Sequence, residues 1–174
     1  MEITPTAITG VMVVALQQHG DERGFFARTF CAREFTEAGM PFEVVQANTS
    51  YSASRGTLRG FHYQHAPFAE HKLVRCTRGS AYDVALDIDP QSPTYLQHIG
   101  IELSQDNRLA LLIPPHCAHA FLTLEDNTEM HYMVSQPYAP EHESGLRHDD
   151  PQLAITWPIP VTTVSEKDRL WPDL

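Results

Sequence analysis

Short runs of strand-forming residues, separated by turns, extend as far as Ser135 and constrain the fold of this chain more than any other feature. Thirteen prolines and nine glycines are spread along the sequence, and clusters such as 90–93, Pro-Gln-Ser-Pro, mark turns between the runs. The segments predicted as strands are 11–16, 25–30, 42–46, 57–64, 72–77, 81–88, 97–103, 109–113, 119–124 and 128–135. Many short strands separated by turns favour an all-β sandwich or a jelly-roll barrel.

The remainder of the chain differs from this β-rich part. Only residues 31–38 have a helix-like pattern, and residues 136–174 hold six prolines with few alternating runs. We expect this Pro-rich tail to wrap around the barrel. At 174 residues, the chain is predicted to form a single domain, 1–174, which is long enough to bury most of its apolar surface.

Composition narrows the class of partner. The formal net charge is −10 and the hydrophobic content is 42%. We therefore expect a folded protein whose partner is neither nucleic acid nor an anionic membrane, since both require a basic face. A small phosphorylated ligand needs only a local cluster of arginine and lysine, so it stays compatible with the charge.

Two further features bear on location. No apolar run approaches the ~18 residues of a membrane span, and the N-terminus has no basic region followed by an apolar core, as a signal peptide would. Cys31, Cys76 and Cys117 are odd in number and far apart. That pattern predicts reduced thiols in a cytoplasmic protein rather than a disulfide framework or a zinc site.

The segment 59–64, Arg-Gly-Phe-His-Tyr-Gln, introduces a cation, an imidazole and an amide into a predicted strand. Because successive side chains of a strand point to opposite faces, Arg59 and His62 are predicted to point apart. A bulge at Gly60 would re-aim its neighbours. A site that binds an anion and moves a proton therefore requires such a bulge if these two residues share it.

His62 is the first candidate for proton transfer, because an imidazole titrates near ~6.5 and takes or returns a proton at neutral pH. A carboxylate that fixes its tautomer would strengthen this hypothesis. Asp83 and Asp87 lie in a predicted strand and Asp168 lies in the tail, where it is also consistent with a helix cap. The spacing does not choose among the three acids.

Three other residues have two interpretations each. Tyr132 lies in a predicted strand, where an aromatic residue is typical of the core, but a hydroxyl that faces a pocket can donate a proton. Lys72 and Arg59 also lie in predicted strands. They are either surface charges on an outer face or cations in a pocket.

Paired histidines in 62–65 and 116–119 suggest a metal-dependent barrel as an alternative, with His62, His65, His119 and Glu70 as ligands. Metal-binding barrels usually align two ligands on one strand face, at i and i+2. The i, i+3 spacing of these histidines directs them apart in an extended strand. We therefore predict no metal site, and the metal-dependent enzyme is kept as the alternative.

Motifs along nearly the whole chain are similar to those of one family, the dTDP-4-dehydrorhamnose 3,5-epimerases of nucleotide-sugar biosynthesis. The segments that carry the resemblance are 21–26, Gln46 with Asn48, 56–64, 72–74, 83–87, 92–94, 113–114 with 118–119, 149–151, 157–158 and 165–168. No single segment is decisive, and the signal is their order along the chain.

The resemblance implies a cupin-type double-stranded β-helix, that is a jelly roll, which acts as a homodimer on a 4-keto-6-deoxy sugar of a nucleoside diphosphate, without cofactor or catalytic metal. It implies His62 as the base, Asp168 as its carboxylate partner, Tyr132 as the acid on the opposite face and Lys72 beside the 4-keto oxygen. The substrate contacts that it implies are Arg23, Phe26, Gln46, Asn48, Arg59 and His119. In the family, some contacts come from the partner subunit through exchange of N-terminal strands.

The chain also departs from the family pattern. Arg28 stands where the family usually has a glutamate near the nucleotide base, and His116 and Ala120 replace two glycines. The nucleotide base, the sugar and the choice between inversion at C3 and at both C3 and C5 therefore stay open. The remaining alternatives are a 3-epimerase of another NDP-4-keto sugar, a metal-dependent cupin enzyme and a sugar-binding domain without turnover.

Overall fold

Short strands make up most of the protein. The computed structural model describes residues 1–174. Its strands are β1 (Glu2–Pro5), β2 (Met12–Ala15), β3 (Gln18–Asp21), β4 (Gly24–Ala27), β5 (Gln46–Ser52), β6 (Thr57–Gln64), β7 (Lys72–Arg78), β8 (Ser80–Asp87), β9 (His98–Ser104), β10 (Ala110–Ile113), β11 (Cys117–Thr123), β12 (Thr128–Val134), β13 (Glu143–Gly145) and β14 (Thr163–Val164). The helices are α1 (Ala32–Glu37), α2 (Glu166–Arg169) and a 3₁₀ turn, Pro140–His142. No helix has the length and apolar character needed to cross a membrane.

The strands form two large sheets and one separate hairpin. The first sheet has the order β1-β2-β10-β7-β12-β5, and the second has the order β13-β6-β11-β8-β9. Strand β14 adds to β6 in parallel, whereas the other pairings along the two sheets are antiparallel. Strands β3 and β4 pair only with each other. This arrangement confirms the all-β class predicted from the spacing of the turns, in which two large sheets face each other.

The main core fills the space between the two sheets. Val74 and Met130 of the first sheet belong to the same apolar cluster as Ala85, Leu103 and Phe121 of the second, and none of these residues is more than 5% exposed. Burial of a large apolar side chain contributes about 1.5–3 kcal/mol. This shared core therefore holds the two sheets face to face.

The Pro-rich tail packs on the second sheet, as predicted. Leu146 and Leu153 are buried against Phe61, Val84 and Leu86 on the side of that sheet that faces away from the main core. The chain then returns along β6 as strand β14 and continues into α2. The tail thus brings its last helix to the edge of β6.

The prediction of a strand over 42–46 is wrong, because β5 begins at Gln46 and ends at Ser52. Phe42 instead packs in a loop against Phe30 and Phe35, with ring centroids 5.5 and 6.1 Å apart. These rings cover the outer side of the first sheet. The sequence of β5 has no apolar alternation, because its less exposed positions hold polar residues.

Candidate active site

A bulge in β6 brings Arg59 and His62 to the same cavity. His62 is paired with His119 of β11 and Arg59 with Phe121, so two residues of β6 lie opposite the single residue Ala120. One of the two is Gly60, whose φ of +119° is unfavourable for residues with a side chain. A Cβ atom on Gly60 would lie 2.5 Å from Cβ of Ala120. The predicted bulge at Gly60 is therefore confirmed.

His62 forms a close pair with Asp168 of α2. Its Nε2 lies 2.7 Å from Oδ1 of Asp168, and Oδ2 of that carboxylate accepts a hydrogen bond from the Gly60 N–H at 3.3 Å. Ser165 caps α2 by accepting a hydrogen bond from the Asp168 N–H at 3.0 Å. Burial tends to raise the pKa of Asp168, but the hydrogen bond and charge of His62 outweigh it, and the pKa lies below its ordinary value. The carboxylate therefore stays ionised beside the imidazole.

The other two acids considered for His62 have different partners. Asp83 is fully buried and lies 2.9 Å from Nε2 of His119. Asp87 accepts hydrogen bonds from the hydroxyl groups of two residues in the following turn. The fold therefore selects Asp168, the acid most distant from His62 in the sequence.

Tyr132 and Lys72 reach the same cavity from the opposite sheet. Tyr132 lies in β12 and Lys72 begins β7, which is the neighbouring strand, whereas His62 lies in β6 of the second sheet. Burial raises the pKa of the Tyr132 phenol, and the nearby carboxylate of Glu70 adds to this effect, while Arg59 opposes it. The phenol is therefore protonated at neutral pH, as a proton donor must be.

Two adjoining cavities, of about 510 and 430 Å³, share His62, Lys72 and Tyr132 in their walls. Of the predicted substrate contacts, Gln46 and Asn48 line the larger cavity. Arg59 and His119 line the smaller one. A ligand with two parts, one on each side of the shared residues, fits this division.

Arg23 and Phe26 are not brought to these cavities within one chain. Both lie on the β3–β4 hairpin, where the Arg23 side chain is 83% exposed and bonded to Asp21, and Phe26 is 66% exposed. The hairpin pairs with no other strand of the chain. Within one chain, neither residue lines the two cavities.

Four further residues line the cavities, although no motif predicted a part in proton transfer or substrate binding for them: Glu70, Tyr138, Glu143 and Lys167. Tyr138 donates a hydrogen bond to Glu143 at 2.6 Å, and Lys167 forms an ion pair with the same carboxylate. One signal was available, because Lys72 and Lys167 are the only lysines of the chain. Both lie in the wall of the smaller cavity.

The histidines of the metal-dependent alternative do not form a common ligand set. His62 is paired with a carboxylate of the tail and His119 with one of β8. His65 packs edge-on against Tyr63, with ring centroids 5.2 Å apart. Each histidine therefore has its own partner in the fold.

One other cluster, Asp87, His116 and Cys117, has ligand atoms within 4.8 Å of one another. The Asp87 carboxylate already accepts hydrogen bonds from the hydroxyls of Ser92 and Thr94, at 2.5 and 2.6 Å. Burial, with a contribution from Asp87, raises the pKa of the Cys117 thiol, which therefore stays protonated. This cluster lies outside both cavities and stabilises the turn after β8.

Comparisons with known proteins agree with this geometry. The family model described as dTDP-4-dehydrorhamnose 3,5-epimerase matches residues 5–174. The dTDP-4-dehydrorhamnose 3,5-epimerase of Sinorhizobium fredii is 44% identical over 169 residues, which are 97% of this chain and 87% of that protein. The enzyme of the same name from Methanothermobacter thermautotrophicus is 40% identical over 172 residues, 97% of this chain and 92% of that protein.

Solved structures show the same similarity. The crystal structure of dTDP-4-dehydrorhamnose 3,5-epimerase from Bacillus anthracis, with TDP and PPi bound, is 39% identical and superposes with a TM-score of 0.96 over 99% of each chain. A 3'-monoepimerase from Streptomyces bikiniensis in complex with dTDP-quinovose is 32% identical, with a TM-score of 0.91 over 98% of this chain and 86% of that one. The jelly roll is therefore of the cupin type. Identity at this level, maintained along the whole length and on the same fold, shows that the chain belongs to the dTDP-4-dehydrorhamnose 3,5-epimerase family of nucleotide-sugar epimerases.

Proposed function

We propose that this enzyme inverts C3, or C3 and C5, of an NDP-4-keto-6-deoxyhexose, as in the conversion of dTDP-4-dehydro-6-deoxyglucose to dTDP-4-dehydrorhamnose. The observation that carries the proposal is that His62 and Tyr132 approach one space from opposite sheets, with Lys72 in the same wall as Tyr132. Inversion at carbon requires a base on one face and an acid on the other. The domain that performs it is taken as residues 1–174.

In the proposed mechanism, the 4-keto group acidifies the C–H bond of the neighbouring carbon, and neutral His62 removes that proton. The ionised Asp168, 2.7 Å from the imidazole, stabilises the imidazolium that forms. Negative charge builds on the keto oxygen of the enolate, where the Lys72 ammonium stabilises the transition state more than the ground state. Tyr132 then donates a proton to the opposite face of the carbon. Each proton-transfer group contributes about 10²–10⁴-fold, and the reaction needs no redox cofactor.

The nucleoside diphosphate is proposed to bind through Arg59, Gln46, Asn48 and His119. Arg59 is held by its Nη2, which donates to the Tyr51 carbonyl at 2.9 Å, so its guanidinium is oriented before a ligand arrives. Binding energy from the diphosphate then positions the reacting carbon between base and acid. Support for this ligand class comes from a relative, since the Bacillus anthracis enzyme carries TDP and PPi in its crystal structure.

Arg23 and Phe26 fit this proposal as contacts made in trans. We propose a homodimer in which the β3–β4 hairpin of one subunit reaches the cavity of the other. Support comes from the exposure of Phe25 and Phe26, 48% and 66%, because apolar side chains at a hairpin tip favour burial against a partner. The three cysteines are free thiols, which agrees with the cytoplasmic location that we propose.

A second candidate reaction is inversion at C3 alone. It is favoured by relatives with that activity in their names, among them a dTDP-4-dehydrorhamnose 3-epimerase of Streptomyces niveus that is 35% identical over 170 residues. Such an enzyme would use the same His62 and Tyr132 and stop after one inversion. The two candidates differ in which carbon exchanges its proton.

The test is solvent exchange followed by proton NMR. The protein is incubated in D₂O with a panel of NDP-4-keto-6-deoxy sugars that includes dTDP-4-dehydro-6-deoxyglucose. Deuterium at C3 and C5 with formation of the inverted product supports the main proposal, and deuterium at C3 alone supports the 3-epimerase. If no sugar of the panel takes up deuterium, the proposed function is wrong. Binding of these sugars without exchange would then identify a sugar-binding domain.

A further inference from the structure

Glu70 lies beside Lys72 in the wall of the larger cavity and has no part in the mechanism above. Its Oε1 is 3.2 Å from Nζ of Lys72, and the two side chains are only 9% and 14% exposed. Both line the cavity together with His62 and Tyr132. A nearly buried ion pair next to proton-transfer groups is costly to form, so its presence calls for a functional reason.

The loop that carries Glu70 is fixed at both ends. The Gln64 side chain donates a hydrogen bond to the Phe68 carbonyl at 3.0 Å on one side. On the other side, the His71 N–H donates to Oγ of Ser135 at 2.8 Å. Contacts of this kind leave the backbone at residue 70 little freedom. The carboxylate is therefore a nearly buried acceptor on an anchored loop, with its side chain only 9% exposed.

Lys72 needs such an acceptor more than an arginine would. A lysine ammonium sits at the end of a flexible four-carbon stem and has three donors that rotate freely. One donor bound to Glu70 orients the stem, and the remaining donors are free to face the cavity. Preorganised donors stabilise developing charge without the cost of reorganisation during the reaction.

Glu70 interacts electrostatically with two of the proposed catalytic residues, Lys72 and Tyr132. The pKa of its carboxyl group lies above the ordinary value, mainly because the group is buried. The charge and hydrogen bond of Lys72 and the charge of His119 lower this pKa, and the charge of Glu143 raises it. The same carboxylate helps to raise the pKa of the Tyr132 phenol, after burial. Glu70 is thus in electrostatic contact with both groups that would meet the enolate from the first sheet.

We propose that Glu70 is a positioning residue that holds the Lys72 ammonium towards the space between His62 and Tyr132, where the keto oxygen of the substrate binds. The inference rests on the proposed epimerase function. It assigns a role to the Glu70–Lys72 ion pair, which orients the Lys72 ammonium before the substrate binds.

The chain offers a test that does not depend on activity. Because Lys72 and Lys167 are its only lysines, protein labelled with ¹³C,¹⁵N-lysine has only two sets of side-chain signals. Glu70→Gln is expected to shift and broaden the Cε and Nζ signals of Lys72 and to leave those of Lys167 unchanged. Glu102→Gln, which removes an exposed carboxylate from β9, is the matched control and leaves both sets unchanged. Unchanged Lys72 signals in Glu70→Gln would overturn the proposal.

Kinetics supplies the second arm. With a substrate that the wild-type protein epimerises, Glu70→Ala is expected to lower kcat about 10- to 100-fold and to change KM less than about threefold, because positioning acts mainly in the transition state. Added formate is expected to restore part of the kcat of Glu70→Ala by occupying the vacated carboxylate position. If Glu70→Ala does not fold, the kinetic measurement is made on Glu70→Gln, which is isosteric with the wild-type side chain. This variant is expected to have a lower kcat than the wild-type protein. Its kcat should also fall less steeply at acidic pH, because the Glu70 carboxyl group no longer titrates.

The outcomes separate this inference from the function beneath it. If the wild-type protein exchanges no proton with any sugar, the proposed function fails, and the lysine signals still decide whether Glu70 holds Lys72. If the wild-type protein is active and both Glu70 variants match it in kcat and in pH profile, the inference is wrong and the function stands. A loss of activity that formate does not restore, with unchanged Lys72 signals, would also overturn it.

Discussion

The imidazole of His62 and the carboxylate of Asp168 lie 2.7 Å apart although 106 positions separate them in the sequence. His62 belongs to the second sheet, and Asp168 is carried by the short helix α2 at the end of the tail. The strand β14, which pairs with β6, brings that helix into place. The pair is therefore a product of the tail's path around the sheet.

Replacement of Asp168 by Asn tests this pair. The amide keeps the size of the side chain but removes the charge that stabilises the imidazolium, so kcat/KM is expected to fall by about 10²–10⁴-fold. Steady-state epimerisation measures the loss. Asp173→Asn, at an exposed carboxylate outside the cavities, is the control and should keep wild-type activity. A less than about tenfold loss in Asp168→Asn would contradict the assigned role.

Tyr132→Phe separates the two halves of the reaction. The variant keeps the proposed base, His62, and loses the proposed opposite-face acid, so deuterium exchange is expected to continue while inversion falls by about 10²–10⁴-fold. Proton NMR in D₂O reads both rates from one sample. His62→Asn is the complementary control, since it should abolish exchange and inversion together. Equal loss of exchange and inversion in Tyr132→Phe would argue against Tyr132 as the acid.

Gly60→Ala is expected to lower the free energy of unfolding, because it disturbs the bulge of β6. The residue has a φ of +119°, and a Cβ atom would lie 2.6 Å from the His119 carbonyl oxygen. Backbone strain costs about 1–3 kcal/mol, and the clash with backbone adds to it. Gly39→Ala isolates the strain alone, because Gly39 has a φ of +77° with nothing within 4 Å of the added atom. Urea denaturation should give the larger loss for Gly60→Ala, and equal losses would show that the close approach is unimportant.

Glu70→Gln is expected to raise stability while it lowers activity. Burial is the main reason that the folded-state pKa of Glu70 lies above its ordinary value of 4.5, so the charged carboxylate is unfavourable to folding at pH 7. As the pH falls through the folded-state pKa, the carboxyl group is protonated in the folded protein first, and this penalty is lost. The stability advantage of Glu70→Gln should therefore be largest at neutral pH and disappear below the unfolded-state pKa. Urea titrations at several pH values, with Glu102→Gln as control, measure it, and an advantage that grows with acidity would contradict the sign.

Subunit complementation tests the contact made in trans by the β3–β4 hairpin. Arg23→Glu damages the hairpin and His62→Asn removes the proposed base, so in the proposed homodimer each variant alone should be inactive or nearly so. In a mixed dimer, the His62 of the first variant receives the intact hairpin of the second. Random mixing is expected to restore about a quarter of wild-type activity, since about half of the dimers are mixed and each has one complete site. No recovery on coexpression would mean that the hairpin does not serve the partner's cavity.

Local pattern was sufficient for much of this fold and for part of the site. Strand β6 has the predicted bounds, 57 to 64, because turns flank a run of strand formers. The predicted strand 42–46 does not match β5, because the less exposed residues of β5 are polar and line a cavity, so they lack the apolar alternation of a core strand. The sequence does not distinguish among Asp83, Asp87 and Asp168 as partners of His62. Only the path of the tail places Asp168 beside the imidazole. The sequence offers Glu70 only as a ligand of the metal-dependent alternative, because its ion pair with Lys72 depends on the path of a loop that local pattern does not describe.

The two lysines have a practical consequence for anyone who handles this enzyme. Lys72 is 14% exposed and Lys167 51% exposed, and both line the smaller cavity, so acylating reagents, aldehyde fixatives and amine-coupling surfaces will find their lysine targets at that cavity. Immobilisation through lysine would orient the protein with its cavity against the support and block it. The other ten of its twelve lysine and arginine residues are arginines, whose guanidinium groups do not react with acylating and amine-coupling reagents.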